Sequence, residues 1–98
     1  MLHIINKSPL ERNALDTCLG VVRSGTLLLI EDAVYAATRG HAGEARLKEA
    51  MGYLKVCVLQ PDLDARGMGD RLMDGVTAVG YDGFVDLVAT EPNCQSWL

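Results

Sequence analysis

The chain has 98 residues, about half of them apolar, and a formal net charge of −4 from nine Lys and Arg against 13 Asp and Glu. This length suits one core, so we expect residues 1–98 to form a single domain. So few cations argue against direct binding to nucleic acid or to an acidic membrane, because phosphate contacts require clustered Lys and Arg. No stretch approaches the roughly 18 apolar residues of a membrane span, and no basic segment precedes the short apolar start as in a signal peptide. We therefore expect a cytoplasmic protein.

The three cysteines are Cys18, Cys57 and Cys94, with no Cys-x-x-Cys pair and only two histidines in the chain. This spacing disfavours a structural zinc site, and we predict neither a metal nor a cofactor. A reducing compartment keeps such cysteines as free thiols. Each is therefore either a small packed hydrophobic residue or a reactive group.

The first predicted elements are a strand and a helix. The apolar run Leu2–Ile5 predicts the strand. Ser8 then provides a helix cap, and Pro9 with Glu11 completes a capping box, so a helix is expected from there to about Arg23. Its apolar stripe is formed by Leu10, Ala14, Leu15, Cys18, Leu19 and Val22.

The middle of the chain repeats this alternation. The aliphatic run Thr26–Ile30 is typical of a strand covered on both faces. Asp32 is expected to cap a short helix through residues 33–37, followed by a flexible loop over 38–43 and a helix over 44–51. A third strand is predicted over 55–59.

The last third predicts a short helical piece through residues 64–66, a strand over 75–79, and a helix over 81–90 with Phe84, Val85, Leu87 and Val88 on its apolar side. The tail 94–98 supplies a possible last strand. Strands that alternate with helices indicate parallel pairing through crossovers. The predicted fold is therefore a small three-layer α/β domain with a mainly parallel sheet of four to five strands.

Five sequence blocks in this order carry a family resemblance over nearly the whole chain. They are Leu2-His3 with Asn6-Lys7-Ser8-Pro9, Glu31-Asp32-Ala33-Val34-Tyr35-Ala36-Ala37, Asp62-Leu63-Asp64-Ala65-Arg66-Gly67, Tyr81-Asp82-Gly83-Phe84-Val85-Asp86-Leu87, and Gln95-Ser96-Trp97. The chain resembles the DsrH/TusB family. The resemblance implies a subunit of a cytoplasmic sulfur-relay complex, with homologous DsrE/TusD-like and DsrF/TusC-like partners in a dimer of heterotrimers and a downstream sulfur-acceptor protein.

The resemblance covers two branches with different destinations for the sulfur. DsrH-type complexes serve sulfur oxidation, whereas TusB-type complexes pass sulfur toward 2-thiouridine at the wobble position of tRNA. The stretch Glu11–Leu19 resembles the DsrH pattern because it contains Cys18. We therefore expect a DsrH-like subunit, with the TusB role as the alternative.

Cys18 is the candidate catalytic residue, because sulfur relay needs a thiolate that accepts a sulfane sulfur as a persulfide and passes it on. The resemblance implies an accessory carrier, since the primary acceptor in the family is a cysteine of the DsrE/TusD-type partner. Little in the sequence activates Cys18: it lies about two turns beyond the expected helix start, and nearby Asp16 would raise its pKa. It is a sulfur carrier or a packed core residue of a structural subunit that positions the partner's cysteine. A stand-alone anion-binding module is a third possibility.

The remaining polar candidates have simpler explanations. Cys57 is expected in the core and Cys94 at the surface or an interface. His3 is either a proton shuttle or a hydrogen-bonded residue of the first strand. The Ser8 cap leaves backbone N–H groups near a helix start, which suits an anion, but without the spacing of a glycine-rich phosphate loop the sequence signal for an anion site is weak.

Two further regions are expected to contribute contacts rather than chemistry. Arg66-Gly67-Met68-Gly69 and the region of Tyr35 lack catalytic spacing and point to packing or subunit contact. The chain has many apolar residues and its first helix has few charges, so the subunit is expected to bury part of its surface against homologous subunits.

Overall fold

The computed structural model describes residues 1–8, 13–41 and 43–97. Within these ranges, five strands and four α-helices alternate, with two short 3-10 helices between them. The strands are β1 (Leu2–Ile5), β2 (Thr26–Leu29), β3 (Lys55–Leu59), β4 (Thr77–Val79) and β5 (Cys94–Trp97). The helices are α1 (Ala14–Val21), α2 (Glu44–Ala50), α3 (Gln60–Ala65) and α4 (Tyr81–Thr90), and the 3-10 helices are Glu31–Ala37 and Gly69–Arg71.

All five strands are parallel, in the order β4-β3-β2-β1-β5. The aliphatic runs of β2 and β3 occupy the interior of the sheet, as expected for strands covered on both faces. Helices lie on both faces, so the predicted three-layer α/β fold is confirmed. The tail strand is also confirmed at the β1 edge, where Leu2 is in register with Cys94, while Leu98 lies outside the described residues.

One face of the sheet carries most of the core. Its strand residues are packed under α1, the first 3-10 helix, α2 and α3, in one cluster of buried side chains. The sheet contributes Ile5, Leu27, Leu29, Val56 and Val58 to this cluster.

The opposite face is covered by α4. A small cluster of Leu2, Leu28 and Cys57 packs against Phe84 and Leu87 of this helix. Gly83 permits the close approach, because a Cβ at this position would lie 2.9 Å from the Cβ of Val79.

The other side of α4 is apolar and exposed. Tyr81, Val85 and Val88 are 62%, 64% and 47% exposed, and their spacing places them along one helix face. We call these three residues the outer stripe of α4. The predicted apolar side of α4 is thus divided: Phe84 and Leu87 pack against the sheet, whereas Val85 and Val88 face solvent in the isolated chain.

The first helix is shorter than predicted. It begins at Ala14, with Asn13 in a non-helical conformation before it; Pro9, Leu10 and Glu11 of the expected capping box lie outside the described residues. It ends at Val21 rather than about Arg23, since Val22 is extended. The guanidinium of Arg23 instead donates hydrogen bonds to the carbonyl oxygens of Leu19 and Val22, which satisfies the end of the helix.

Two further boundaries differ for local reasons. Asp32 does not cap a helix: the 3-10 helix follows Ile30 without a side-chain cap. The fourth strand begins at Thr77 and not at Gly75, because Gly75 has a φ of 92° and belongs to a turn. Within the described ranges, no helix combines the length and apolarity needed to cross a bilayer.

Candidate functional site

Cys18 is sealed inside the larger core. Its side chain has 0% exposure in the cluster that includes Leu15 and Leu19. Burial raises the pKa of its thiol to about 11, so roughly one molecule in 10⁴ carries the thiolate at neutral pH. A sulfur donor therefore meets neither an accessible nor an ionised Cys18 in this conformation.

The other two cysteines lie on strands β3 and β5. Cys57 is in the core as predicted, on the sheet face that α4 covers, and burial raises the pKa of its thiol. Cys94 is exposed on β5, also as predicted. Cys18 belongs to the cluster on the opposite face from Cys57, so the fold does not bring these two thiols together.

His3 is a hydrogen-bonded residue of the buried sheet. Its Nδ1 accepts a hydrogen bond from Nε1 of Trp97 at 3.1 Å. Burial, assisted by the positive N-terminus, lowers the pKa of His3, while Glu91 acts in the opposite direction. The imidazole thus fastens β5 to β1, which favours the structural interpretation over a proton shuttle.

Two of the resemblance blocks meet through a pair of polar contacts. The guanidinium of Arg66 pairs with Oδ1 of Asp32, at 2.9 Å from Nε and 2.8 Å from Nη2. The carboxylate of Asp62 accepts a hydrogen bond from the N–H of Glu31 at 2.7 Å. Glu31 has a φ of 49°, an uncommon conformation for a residue other than glycine. The block that contains Arg66 therefore holds the turn after β2, as the packing interpretation predicted.

A cavity lined by described residues lies at the carboxyl edge of the sheet, where open α/β folds commonly bind ligands. Its volume is about 660 Å³. We call it the carboxyl-edge pocket; its lining is Ser8, Asp32, Tyr35, Thr38, Arg39, Gly40, His41, Met68 and Arg71. The sequence predicted Ser8 and Asp32 as helix caps, whereas no sequence pattern singled out Arg39 or Arg71.

Arg39 and Arg71 are far apart in the sequence and adjacent in the fold. An isolated antiparallel bridge joins Thr38 to Leu72, the N–H of Arg39 donates to the carbonyl oxygen of Arg71 at 2.7 Å, and the N–H of Met73 donates to that of Ala37 at 2.8 Å. The predicted flexible loop over 38–43 is thus paired at its start with the segment after α3. No sequence pattern signals a single bridge of this kind, so sequence analysis missed the two arginines.

Across the part of the chain that the structure describes, His, Cys, Asp and Glu form no group of three that would suit a metal ion. The pocket instead combines guanidinium, hydroxyl and imidazole groups. Such groups bind and orient ligands through hydrogen bonds and charge.

A five-stranded parallel sheet with helices on both faces and a polar pocket at its carboxyl edge defines a small open α/β protein. Comparison with known families assigns this one further: the family described as DsrH-like protein matches residues 7–94. The chain belongs to the DsrH/TusB family.

Relatives over the whole length carry the TusB name. Protein TusB of Pectobacterium parmentieri is 37% identical, and Protein TusB of Buchnera aphidicola is 30% identical, each over 99% of this chain and 100% of the relative. Among solved structures, the ychN protein from E. coli aligns with a TM-score of 0.79 at 19% identity, covering 97% of both chains. MTH1491 from Methanobacterium thermoautotrophicum aligns with a TM-score of 0.68 at 20% identity, covering 97% of this chain and 95% of the other. These two structures support the fold.

Proposed function

We propose that the protein is a TusB-type subunit of a cytoplasmic sulfur-relay complex that supplies sulfur for tRNA 2-thiouridine. Proteins named TusB are 30% to 37% identical to this chain over its whole length. This similarity supports the TusB branch over the DsrH branch that Cys18 favoured. The partners are homologous TusC-like and TusD-like subunits. The assembly as a dimer of heterotrimers and the downstream acceptor protein belong to the same proposal.

A structural role is supported by the contrast between the buried thiol of Cys18 and the exposed apolar surface of α4. The candidate carrier thiol is sealed with its pKa raised to about 11, while the outer stripe of α4 exposes three large apolar side chains. Exposed apolar side chains at helical spacing are a ready surface for a partner of similar character. We propose that this stripe packs against a homologous subunit.

Assembly is the direct test. The double substitution Val85→Asp and Val88→Asp puts two carboxylates on the outer stripe and should abolish co-purification with co-expressed TusC-like and TusD-like subunits. The control is Val21→Asp on α1, matched to the single variant Val85→Asp: the two valines are 68% and 64% exposed, so each variant adds one charge at a position that faces solvent.

The free chain should remain folded in these variants, because the replaced side chains already face solvent. Circular dichroism of each purified variant checks this. Normal assembly of the α4 variant, or equal loss with Val21→Asp, would contradict the proposed interface.

The role of Cys18 as a sulfur carrier stays a prediction. The step itself is a transfer of sulfane sulfur: the Cys18 thiolate attacks the outer sulfur of a donor persulfide, the donor S–S bond breaks, and the donor leaves as a thiolate. In this fold the step first requires α1 to move away from the core.

Mass spectrometry of the assembled complex after incubation with a persulfide donor separates the two roles. A structural subunit should show no added sulfur at Cys18 and normal sulfur transfer by the Cys18→Ser variant. One reducible sulfur confined to Cys18, with loss of transfer in that variant, would establish the carrier role instead.

Wobble-base analysis tests the branch. Expression in cells that lack their own TusB subunit should restore 2-thiouridine in tRNA, measured by nucleoside mass spectrometry. If the Cys18→Ser variant also restores 2-thiouridine, the protein acts in the TusB branch as a structural subunit. A complex that assembles with the host subunits but leaves tRNA unthiolated would count against the TusB branch.

A further inference from the structure

We propose that the carboxyl-edge pocket binds a small tetrahedral oxyanion of the phosphate or thiosulfate type, held by Arg39 and Arg71. This site is separate from the outer stripe of α4 and does not depend on the proposed assembly.

Charge gives the first argument. The backbone pairing around Thr38 and Leu72 holds Arg39 beside Arg71, and among the described residues neither guanidinium has an ion-pair partner. The one carboxylate in the lining, Asp32, is already paired with Arg66. Both arginines line the same pocket, so an anion bound there is attracted by two positive charges that have no carboxylate partner among the described residues.

The geometry of Arg39 gives the second argument. Its Nη2 donates to the carbonyl oxygen of Asp70, which anchors the guanidinium in the segment that carries Arg71. A fixed guanidinium retains further N–H donors on its other edges. Arg71 contributes its carbonyl oxygen to the pairing, and its side chain makes no hydrogen bond within the described residues, so its guanidinium is available to a ligand.

Neutral donors complete the lining. Nδ1 of His41 accepts a hydrogen bond from the N–H of Gly43 at 3.0 Å, so the neutral imidazole carries its proton on Nε2 and donates from there. Tyr35 lines the same pocket, and its hydroxyl has no hydrogen-bond partner among the described residues. Cations together with neutral donors are the chemistry that recognises a tetrahedral oxyanion.

The volume of about 660 Å³ exceeds that of one inorganic anion. The Tyr35 ring and Met68 line part of it, which leaves room for an organic substituent on the bound group. Inorganic phosphate, sulfate and thiosulfate are therefore suitable first probes of the charged end of the site.

Glu44 provides an internal check. Its Oε1 accepts a hydrogen bond from the N–H of Gly40 at 3.3 Å, which places a carboxylate at the rim of the pocket. A negative charge there opposes anion binding. The Glu44→Gln variant should therefore bind the same anion more tightly, whereas Arg71→Gln should bind it more weakly.

The experiment is a titration of the full chain with phosphate, sulfate or thiosulfate at constant ionic strength, followed by backbone and arginine side-chain NMR resonances. Arg71→Gln should weaken binding about tenfold or more, because a charge-assisted contact is lost. Arg46→Gln is the control of equal charge change: Arg46 lies on α2 in an exposed pair with Asp16. Arg39→Gln is a second test whose fold is checked by circular dichroism, since that side chain also anchors to Asp70.

Saturable shifts of the pocket resonances that weaken in Arg71→Gln and persist in Arg46→Gln support the site. Tighter binding of thiosulfate than of phosphate identifies a sulfur oxyanion, and the reverse order identifies a phosphorylated ligand. Equal weakening in Arg71→Gln and Arg46→Gln, or no saturable shift with any of the three anions up to about 10 mM, would overturn the proposal.

Discussion

The sheet face under α1 and α2 and the face under α4 differ in how completely the chain covers them. The first carries four covering elements and a cluster in which Cys18 has 0% exposure. The second carries one helix whose ten residues include none that is fully buried. The single helix on the second face has apolar residues on its outer side as well as its inner side. This face is therefore a more suitable surface for binding another subunit than the first face, whose core is already buried.

The difference also separates the thiols. The first face encloses Cys18 within helix and sheet, whereas Cys57 lies beneath α4 alone. Access to Cys18 requires opening the main core, while access to Cys57 requires only that α4 lift from the sheet. The position that the sequence singled out for chemistry is therefore the better protected of the two.

The largest expected effect comes from two consecutive leucines of β2. Leu29 points into the main core and Leu28 into the cluster under α4, and both are fully buried. We expect Leu29→Ala to lower the free energy of unfolding by about 3–5 kcal/mol and Leu28→Ala by about 2–3 kcal/mol, because α4 can settle into part of the cavity. Urea unfolding of the two variants measures both values, and a larger cost for Leu28→Ala would contradict the proposed difference between the faces.

A smaller difference is expected between the two sides of α4. Phe84 packs on the sheet and Val85 faces solvent. Phe84→Ala should cost about 2 kcal/mol, because this phenylalanine is only partly buried, and Val85→Ala should change the free energy of unfolding by less than about 0.5 kcal/mol. Thermal unfolding of the free chain compares them, and equal destabilisation would show that the outer stripe already has a partner within the chain.

Thiol labelling compares the faces directly. With a maleimide in excess, Cys94 should react first because it is exposed. Cys57 should follow at least about tenfold faster than Cys18, since its opening involves fewer contacts. Peptide mass spectrometry at increasing times assigns the rates, and labelling in denaturant shows that all three thiols are competent. Faster reaction of Cys18 than of Cys57 would reverse the comparison and revive the carrier role.

The smallest effect concerns pH. Burial lowers the pKa of His3 below its ordinary value of 6.5, so the unfolded chain binds a proton more readily than the folded one. The contribution to stability is therefore complete above about pH 6.5 and declines as the pH falls below it toward the lower pKa of the folded state. The His3→Gln variant should show a weaker decline than the parent chain when urea unfolding is measured at several pH values. An identical decline in both would remove His3 as its source.

Much of the fold followed from sequence periodicity and end signals. The aliphatic run of β2 identified a strand covered on both faces, and the third predicted strand matches β3. The end of α1 was harder to predict, because the side chain of Arg23 donates hydrogen bonds to the last free carbonyl oxygens of the helix. Asp32 was predicted as a helix cap, and its carboxylate instead meets Arg66, a residue 34 positions away.

The candidate site was also predicted only in part. The sequence showed that Cys18 lies on an apolar helical stripe, and the family resemblance supplied a role for it. Burial raises the pKa of the Cys18 thiol. That burial depends on how α1 packs on the sheet, which the apolar stripe alone does not predict. The pairing of Arg39 with Arg71 depends on a single backbone bridge between distant segments.

The sequence by itself determined the class of fold, the order of its elements and the family, because hydrophobic period and motif order are properties of local and linear patterns. The tertiary structure decided which surfaces and side chains are available: the sealed thiol of Cys18, the exposed outer stripe of α4, and the two arginines of the carboxyl-edge pocket. Exposure and convergence arise from contacts between residues that are distant in the chain, and the register and crossing of the elements set those contacts.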